Sequence, residues 1–81
     1  MIDQNISPIP LSTHVGQAVE QYLATAEKDA NDIYQVFLAE LERPLLIVTL
    51  KHTRGNQSKT TKLLGLNRGT LSSKLKAHGL L

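Results

Sequence analysis

The residues of this chain with the most specific chemistry lie between positions 54 and 76, where amide, hydroxyl and basic side chains occur without an acidic one. The guanidinium of Arg68 can donate two hydrogen bonds to O6 and N7 of guanine, worth roughly 1–3 kcal/mol of discrimination between bases. Asn67 can contact a base edge or cap a helix that starts at Arg68, and the sequence gives the two roles equal weight. Gly69 costs about 1 kcal/mol relative to alanine inside a helix, and a close approach to the DNA would account for it.

Further side chains in this segment can contact the phosphates of a double helix. Asn56 and Ser58 stand at the start of a predicted helix, where free backbone N–H groups bind anions. Thr70, Ser73 and Lys74 share the polar outer face of the helix that follows. The predicted phosphate ligands are Arg54, Asn56, Ser58, Lys59, Lys74 and Lys76, with Lys51 and Lys62 as weaker candidates.

Charge is divided unequally between the two halves of the chain. Residues 1–43 contain all seven acidic residues and two basic ones, a net charge of −5, whereas residues 44–81 contain seven basic residues and no acidic one, a net charge of +7. An acid-free segment attracts polyanions. Charge alone leaves DNA binding and a solvated basic surface equally open.

Two short helices joined at Gly65 must position these side chains. We expect Asn56 to cap a helix over residues 57–64 and Asn67 to cap a second one over residues 68–78. This layout is typical of a helix-turn-helix, whose second helix enters the major groove of DNA. The predicted DNA-binding unit covers residues 55–81.

The second of these helices also needs an apolar inner face and a defined end. Gly79 fits the left-handed position after the helix, with Leu80 folding back on Leu75. The inner face is expected to pack on Leu63 and Leu64, and it consists of Leu66, Leu71 and Leu75.

Two longer helices are predicted within residues 11–54. Ser12 or Thr13 can cap the first, and Asn31 can cap the second after a short connection at residues 28–30. The second helix, about residues 32–53, contains Pro44, which would ordinarily break it. An apolar stripe continues across the proline and favours a single kinked helix that ends at Gly55; the stripe is Ile33, Phe37, Leu41, Leu45 and Val48.

This second helix is too apolar for a small monomer. Residues 45–48 are apolar on all sides of the helix, so that turn requires partners on every side. Two copies packed together would supply them, and we therefore expect an obligate homodimer. The predicted dimer core is Phe37, Leu41, Leu45, Leu46 and Val48.

The remaining features are those of one small domain. The 81 residues include no cysteine, which excludes disulfides and cysteine-based zinc sites, and residues 1–10 read as a short mobile arm with two prolines. With no signal peptide or membrane-spanning run, we expect a soluble, cytoplasmic protein. We expect no enzyme, metal or cofactor, because His14, His52 and His78 lack metal-ligand spacing and acidic residues nearby in sequence, and the serines lack a base.

The chain resembles the Fis family, small nucleoid-associated proteins of gamma-proteobacteria, over about residues 11–81. The matching segments are LAELERPLL at 38–46, TRGNQ at 53–57, GLNRGTL at 65–71, Lys74-Leu75-Lys76 and Gly79. The resemblance implies an intertwined homodimer of four-helix subunits that bends double-stranded DNA with little sequence preference. It also implies nucleoid organisation and transcription regulation.

The resemblance further implies roles for individual residues. Asn67 and Arg68 would contact bases, and Lys76 would reach flanking DNA. The implied phosphate contacts are Arg54, Asn56, Ser58, Thr70 and Lys74. RNA polymerase is a candidate protein partner that the residues do not decide.

The chain departs from the family pattern at two places. Ser72 and Ser73 replace basic residues and Ala77 lacks a flanking charge, so we expect lower affinity or relaxed base preference. The arm is too short for the family's β-hairpin, so we expect no stimulation of DNA inversion. Met1 lies just ahead of the dimer helices, which favours a free-standing protein.

Other function classes fit the sequence less well than DNA binding by a free-standing protein. A similar module forms the C-terminal DNA-binding domain of sigma-54-dependent activators of the NtrC type, where a large ATPase domain precedes it. A helical interaction adaptor with a basic tail is the second class, and the arrangement of caps around Gly65 counts against it. The tail has no aromatic residue on which RNA bases could stack.

Overall fold

A computed structural model describes residues 10–25 and 31–81 of the chain. These residues form four α-helices and no strand: α1 is Leu11–Thr25, α2 is Ile33–His52, α3 is Gln57–Leu64 and α4 is Arg68–Ala77. The predicted all-α fold of four helices with a C-terminal helix-turn-helix is confirmed. Residues 1–9 of the predicted arm and the predicted connection at 28–30 lie outside the described residues. None of the four helices is both long and apolar enough to cross a membrane.

The chain divides into two units, and α1 belongs to the first. It starts directly after Pro10, whose carbonyl accepts a hydrogen bond from the N–H of Thr13 at 3.0 Å. Ser12 and Thr13 therefore lie inside the helix, and the prediction that one of them caps it was wrong. No residue of α1 is buried, and Leu11, Val15 and Leu23 are exposed.

The second unit contains α2, α3 and α4. α2 continues through Pro44, so the prediction of a single helix is confirmed. Its N-cap position is taken by Asp32, in the left-handed region at φ 57°, and no side-chain cap bond forms there. The prediction that Asn31 caps α2 was wrong, because the helix begins one residue too late for it.

Two consecutive left-handed residues end α2. Arg54 has φ 56° and Gly55 has φ 81°. The N–H of Gly55 donates to the carbonyl of Leu50 at 2.9 Å and that of Arg54 to Lys51 at 3.1 Å, the bond pattern of a Schellman motif. The glycine predicted to end the helix is present, but a non-glycine residue occupies the first left-handed position, at a cost of order 1 kcal/mol.

The helix-turn-helix has the predicted local geometry. Gly65 takes φ 73°, and its N–H donates to the carbonyl of Thr61 at 2.8 Å. α4 ends at Ala77, one residue before the predicted end. Gly79 then takes φ 68°, and the N–H of Leu80 donates to the carbonyl of Leu75 at 2.8 Å, which confirms the predicted C-terminal motif.

A small leucine core holds α2 to the helix-turn-helix. Leu46, Leu71 and Leu75 are each no more than 1% exposed. Half-buried side chains pack around them, namely Leu50, Leu64 and Leu80. Leu63 was predicted to join this core, but it is 60% exposed.

Leu46 differs from the other members of the predicted dimer core. It is already buried within one chain against α4, so the structure places it in the core of the subunit rather than in a surface for a second copy. Phe37 is half-buried. By contrast, Leu41, Leu45 and Val48 are 45%, 48% and 64% exposed.

Candidate nucleic-acid interface

The first turn of α4 is fixed by Asn67. Its side-chain Oδ1 accepts a hydrogen bond from the backbone N–H of Thr70 at 2.8 Å, and its carbonyl accepts one from Leu71. The cap role is therefore occupied by the oxygen of the amide, which leaves the Nδ2 group to donate. The two roles that the sequence left open are compatible, provided that the base edge offers an acceptor.

The residues around this cap leave the start of α4 open. Asn67, Arg68 and Gly69 are exposed, and Thr70 is half-buried. A Cβ placed on Gly69 would meet only Oδ1 of Asn67, at 3.5 Å, an ordinary van der Waals contact. Within the described residues, nothing requires a glycine at this position.

The start of α3 is fixed in the same way. Oδ1 of Asn56 accepts from the N–H of Lys59 at 3.0 Å. Behind it, the buried hydroxyl of Thr60 donates to the carbonyl of Asn56 at 2.8 Å and lies 2.8 Å from the hydroxyl of Thr53. This pair of threonines ties the N-terminus of α3 to the end of α2, which carries Arg54.

An open groove lies at this corner between α2 and α3. It brings together two of the predicted phosphate ligands and one weaker candidate, and its lining residues are His52, Thr53, Arg54, Lys59, Lys62 and Leu63. All its ionisable side chains are basic. Such a surface suits a polyanion backbone.

Lys74 is placed differently from the other predicted phosphate ligands. Its Nζ donates to Oε2 of Glu42 at 2.5 Å, and Nε2 of His78 lies 3.1 Å from Oε1 of the same carboxylate. The side chain of Arg43 donates to the carbonyl of His78 at 2.5 Å. We refer to these four residues, Glu42, Arg43, Lys74 and His78, as the α2–α4 clasp.

The clasp lowers the pKa of Glu42 below its ordinary value. The main cause is the hydrogen bond from Lys74, followed by that from His78, and partial burial of the carboxyl opposes the shift. Glu42 is therefore ionised at neutral pH. Its charge compensates that of Lys74, which the sequence placed on the polar outer face of α4 as a phosphate ligand.

The remaining predicted contacts are accessible. Arg54, Asn56, Ser58, Lys59, Ser73 and Lys76 are all exposed. Ser72 is half-buried. Within the described part of the chain, no three His, Asp or Glu side chains are grouped so that they could hold a metal ion.

Known proteins resemble the chain across this site. The profile described as bacterial regulatory protein, Fis family, matches residues 37–78. The chain is 47% identical over 72 residues to the DNA-binding protein Fis of Haemophilus influenzae, an alignment that covers 88% of this chain and 73% of the relative. The DNA-binding proteins Fis of Proteus mirabilis and Histophilus somni are 46% identical over 72 residues, covering 88% of this chain and 74% of each relative.

This chain belongs to the Fis family. The range matched by the Fis profile includes every position predicted to contact DNA and all four residues of the α2–α4 clasp. The resemblance stated from the sequence is thereby confirmed. The family description is that of a regulatory protein.

Sequence reasoning missed Glu42 and Arg43, which support the Fis-type recognition helix from α2. Both belong to the acidic half of the chain and were counted only as charges. One signal was present: Glu42 lies four residues before Leu46, so the two share a face of α2. Once Leu46 is known to face α4, Glu42 is expected to face it as well.

Proposed function

We propose that this Fis-family chain binds double-stranded DNA by placing α4 in the major groove. The observation that carries the proposal is the capped helix-turn-helix itself: Asn56 and Asn67 cap two helices joined at Gly65, on an acid-free half of the chain. The relatives that match most of this chain bear the name DNA-binding protein Fis. Geometry, charge and family therefore agree on the same ligand.

In this proposal the first turn of α4 reads bases. Arg68 donates two hydrogen bonds to guanine O6 and N7. Oδ1 of Asn67 already accepts from the N–H of Thr70, whereas its Nδ2 group remains to donate. The donor fits an acceptor such as N7 of a purine or O4 of thymine.

The other exposed residues hold the DNA backbone. The first N–H groups of α3 and α4 are available to phosphate oxygens because they precede the capped positions. Phosphate contacts do not distinguish sequences, so they give affinity and orientation. The proposed set is Arg54, Asn56, Ser58, Lys59, Thr70, Ser73 and Lys76.

We also propose that the chain acts as a homodimer. Leu41, Leu45 and Val48 are spaced to lie on one face of α2, and each is about half exposed or more. These three are the exposed members of the longer apolar stripe predicted from the sequence, and we refer to them alone as the α2 stripe. A second copy of α2 packed on this stripe would remove its apolar surface from water, and its symmetry would place two recognition helices on one duplex.

A dimer of this kind is proposed to bend its DNA. If the two α4 helices are closer together than one helical turn, both can enter the major groove only when the duplex curves, at a cost of order 1–6 kcal/mol that depends on the sequence. Bending of this kind would serve nucleoid organisation and transcription regulation in the cytoplasm. RNA polymerase is the protein partner proposed for the regulatory role.

A gel shift with circularly permuted DNA fragments tests the proposal. The fragments carry an A/T-rich centre between G and C half-site positions, and the site lies at a different distance from the ends in each. We expect a shift whose mobility depends on the position of the site, because a bend near the middle slows migration most. The permutation control is the same set of fragments with a scrambled site.

The other outcomes are equally informative. A shift that does not depend on site position would leave DNA binding in place and remove bending by a dimer. Absence of any shift at low salt, with an intact dimer by sedimentation, would contradict DNA binding and favour a helical adaptor that binds an acidic protein.

A further inference from the structure

Two adjacent residues of α2 hydrogen-bond to the C-terminal end of α4 in the α2–α4 clasp. Both oxygens of the Glu42 carboxylate are engaged, one by Lys74 and the other by His78. Arg43 adds a bond to the carbonyl of His78, one of the C-terminal carbonyls that have no partner within the helix. α4 is thus held at its start by Asn67 and at its end by α2.

Glu42 lies beside the leucine core, where the loss of a charged partner is costly. It lies one turn before Leu46, which is buried against Leu71 and Leu75. The side chain of Glu42 is only 19% exposed, so its charge is less screened than that of a fully exposed residue. If Lys74 left it to bind a phosphate, a half-buried carboxylate would lose its main partner while DNA approached.

Resting on the DNA-binding function proposed above, we propose that Glu42 is a positioning residue that holds the C-terminal turn of α4 against α2 and withholds Lys74 from the DNA backbone. Lys74 thereby becomes part of the support of the recognition helix. The backbone contacts of α4 are then those of its first turn, Ser73 and Lys76. This assignment replaces the phosphate role that the sequence suggested for Lys74.

The salt dependence of DNA binding separates the two roles of Lys74. Each phosphate contact made by a lysine adds close to one unit to the slope of log K against log salt concentration. We expect Lys74→Gln to leave the slope unchanged, whereas Glu42→Gln frees Lys74 and steepens the slope by about one unit. The double variant should return to the wild-type slope.

Matched controls exclude a simple effect of net charge. Glu40→Gln removes the same charge from an exposed position on α2 and should change the slope less than Glu42→Gln does. Lys76→Gln removes an exposed charge from α4 and should make the slope shallower by about one unit. A shallower slope for Lys74→Gln, or equal slopes for Glu42→Gln and Glu40→Gln, would overturn the inference.

A measurement without DNA tests the clasp itself. The side-chain carboxyl of Glu42 is titrated by ¹³C NMR in the wild type and in Lys74→Gln. We expect its pKa below the ordinary value in the wild type and closer to that value in the variant. An ordinary pKa in the wild type would overturn the clasp whatever the DNA result.

The two measurements keep this inference distinct from the proposed function. A wild type that binds no duplex but shows the low pKa of Glu42 would refute DNA binding, and with it the withholding of Lys74, while the clasp would stand. A wild type that binds DNA with a shallower slope in Lys74→Gln would refute the inference alone.

Discussion

The helix-turn-helix end of the chain and the α2 stripe differ in whether their apolar side chains are buried. At the helix-turn-helix end, Leu46 is buried against Leu71 and Leu75 within one chain. On the stripe, Leu45 is the immediate neighbour of Leu46 and is 48% exposed. Two adjacent leucines of one helix thus serve different purposes.

The difference shows that the helix-turn-helix end buries its leucines within the second unit, whereas the side chains of the α2 stripe are exposed. Asn56 and Asn67 cap the two short helices, and left-handed residues end them. The stripe has no such local solution, because apolar surface can be removed from water only by another apolar surface. The fold of the helix-turn-helix and the proposed pairing of two copies would therefore depend on separate residues.

The largest effect is expected from a pair of substitutions that separates these two regions. Leu46→Glu puts a carboxylate among buried leucines without a partner, which costs several kcal/mol, a large share of the roughly 5–15 kcal/mol that stabilises a native protein. We expect loss of the cooperative thermal transition and of dispersed amide signals. Leu45→Glu, its matched control, should shift the mass from dimer to monomer and keep the signals of α3 and α4.

Sedimentation and amide NMR on both variants decide whether the contrast is real. If Leu45→Glu unfolds as completely as Leu46→Glu, the helix-turn-helix has no stability without a second copy. If Leu45→Glu remains a dimer, the α2 stripe is not the interface.

The next largest effect is expected from two substitutions that test different DNA contacts, one at Arg68 of α4 and one at Lys59 of α3. Arg68→Ala should cost roughly 1–3 kcal/mol in binding and flatten the preference among sites, since it removes a base contact. Lys59→Ala should weaken all sites nearly equally and make the salt slope shallower by about one unit. Competition binding to matched and mismatched sites over a salt series measures both, and equal effects on sequence preference would contradict the assigned roles.

Local signals in the sequence predicted the helix-turn-helix well. An asparagine cap needs only the backbone N–H three residues later, so Asn56 and Asn67 could be recognised without knowing the rest of the fold. The same kind of signal failed at the starts of α1 and α2. Several cap-forming residues are adjacent there, and the helices begin after Pro10 and Asp32.

Contacts between distant residues could not be predicted. Periodicity places Leu46 on a face of α2 but does not say which element covers that face. For the same reason, neither the ion pair of Glu42 with Lys74, 32 residues later, nor the exposure of Leu63 could be predicted from the sequence. The candidate site was therefore predicted in its local parts, and its support from α2 was missed.

A smaller effect of opposite sign on folding and binding is expected at Gly69. Alanine fits this position in the free chain and favours the helix, so Gly69→Ala should raise the free energy of unfolding by about 1 kcal/mol. If the glycine allows close approach to DNA, the same change should weaken binding. Thermal unfolding and DNA titration of one preparation test both signs, and Ser72→Ala is the matched control on α4, because Ser72 lies outside the proposed DNA contacts. Tighter or unchanged binding would leave the glycine without a function at the interface.

The smallest effect is the pH dependence of stability that Glu42 contributes. Because the pKa of this carboxyl is lowered in the folded state, its stabilising contribution is fully present above the unfolded pKa and is lost as the pH falls through the folded pKa. Lys74 is 33% exposed, so the contribution is about 1 kcal/mol or less. In denaturant unfolding of the wild type, the free energy of unfolding should therefore fall as the pH drops from the unfolded pKa of Glu42 through its lower folded pKa. This fall should be smaller in Glu42→Gln, whereas Glu40→Gln should follow the wild type. Parallel curves for all three proteins would mean that the end of α4 is held by the leucine core alone, and the helix-turn-helix end would then depend on apolar packing as fully as the α2 stripe does.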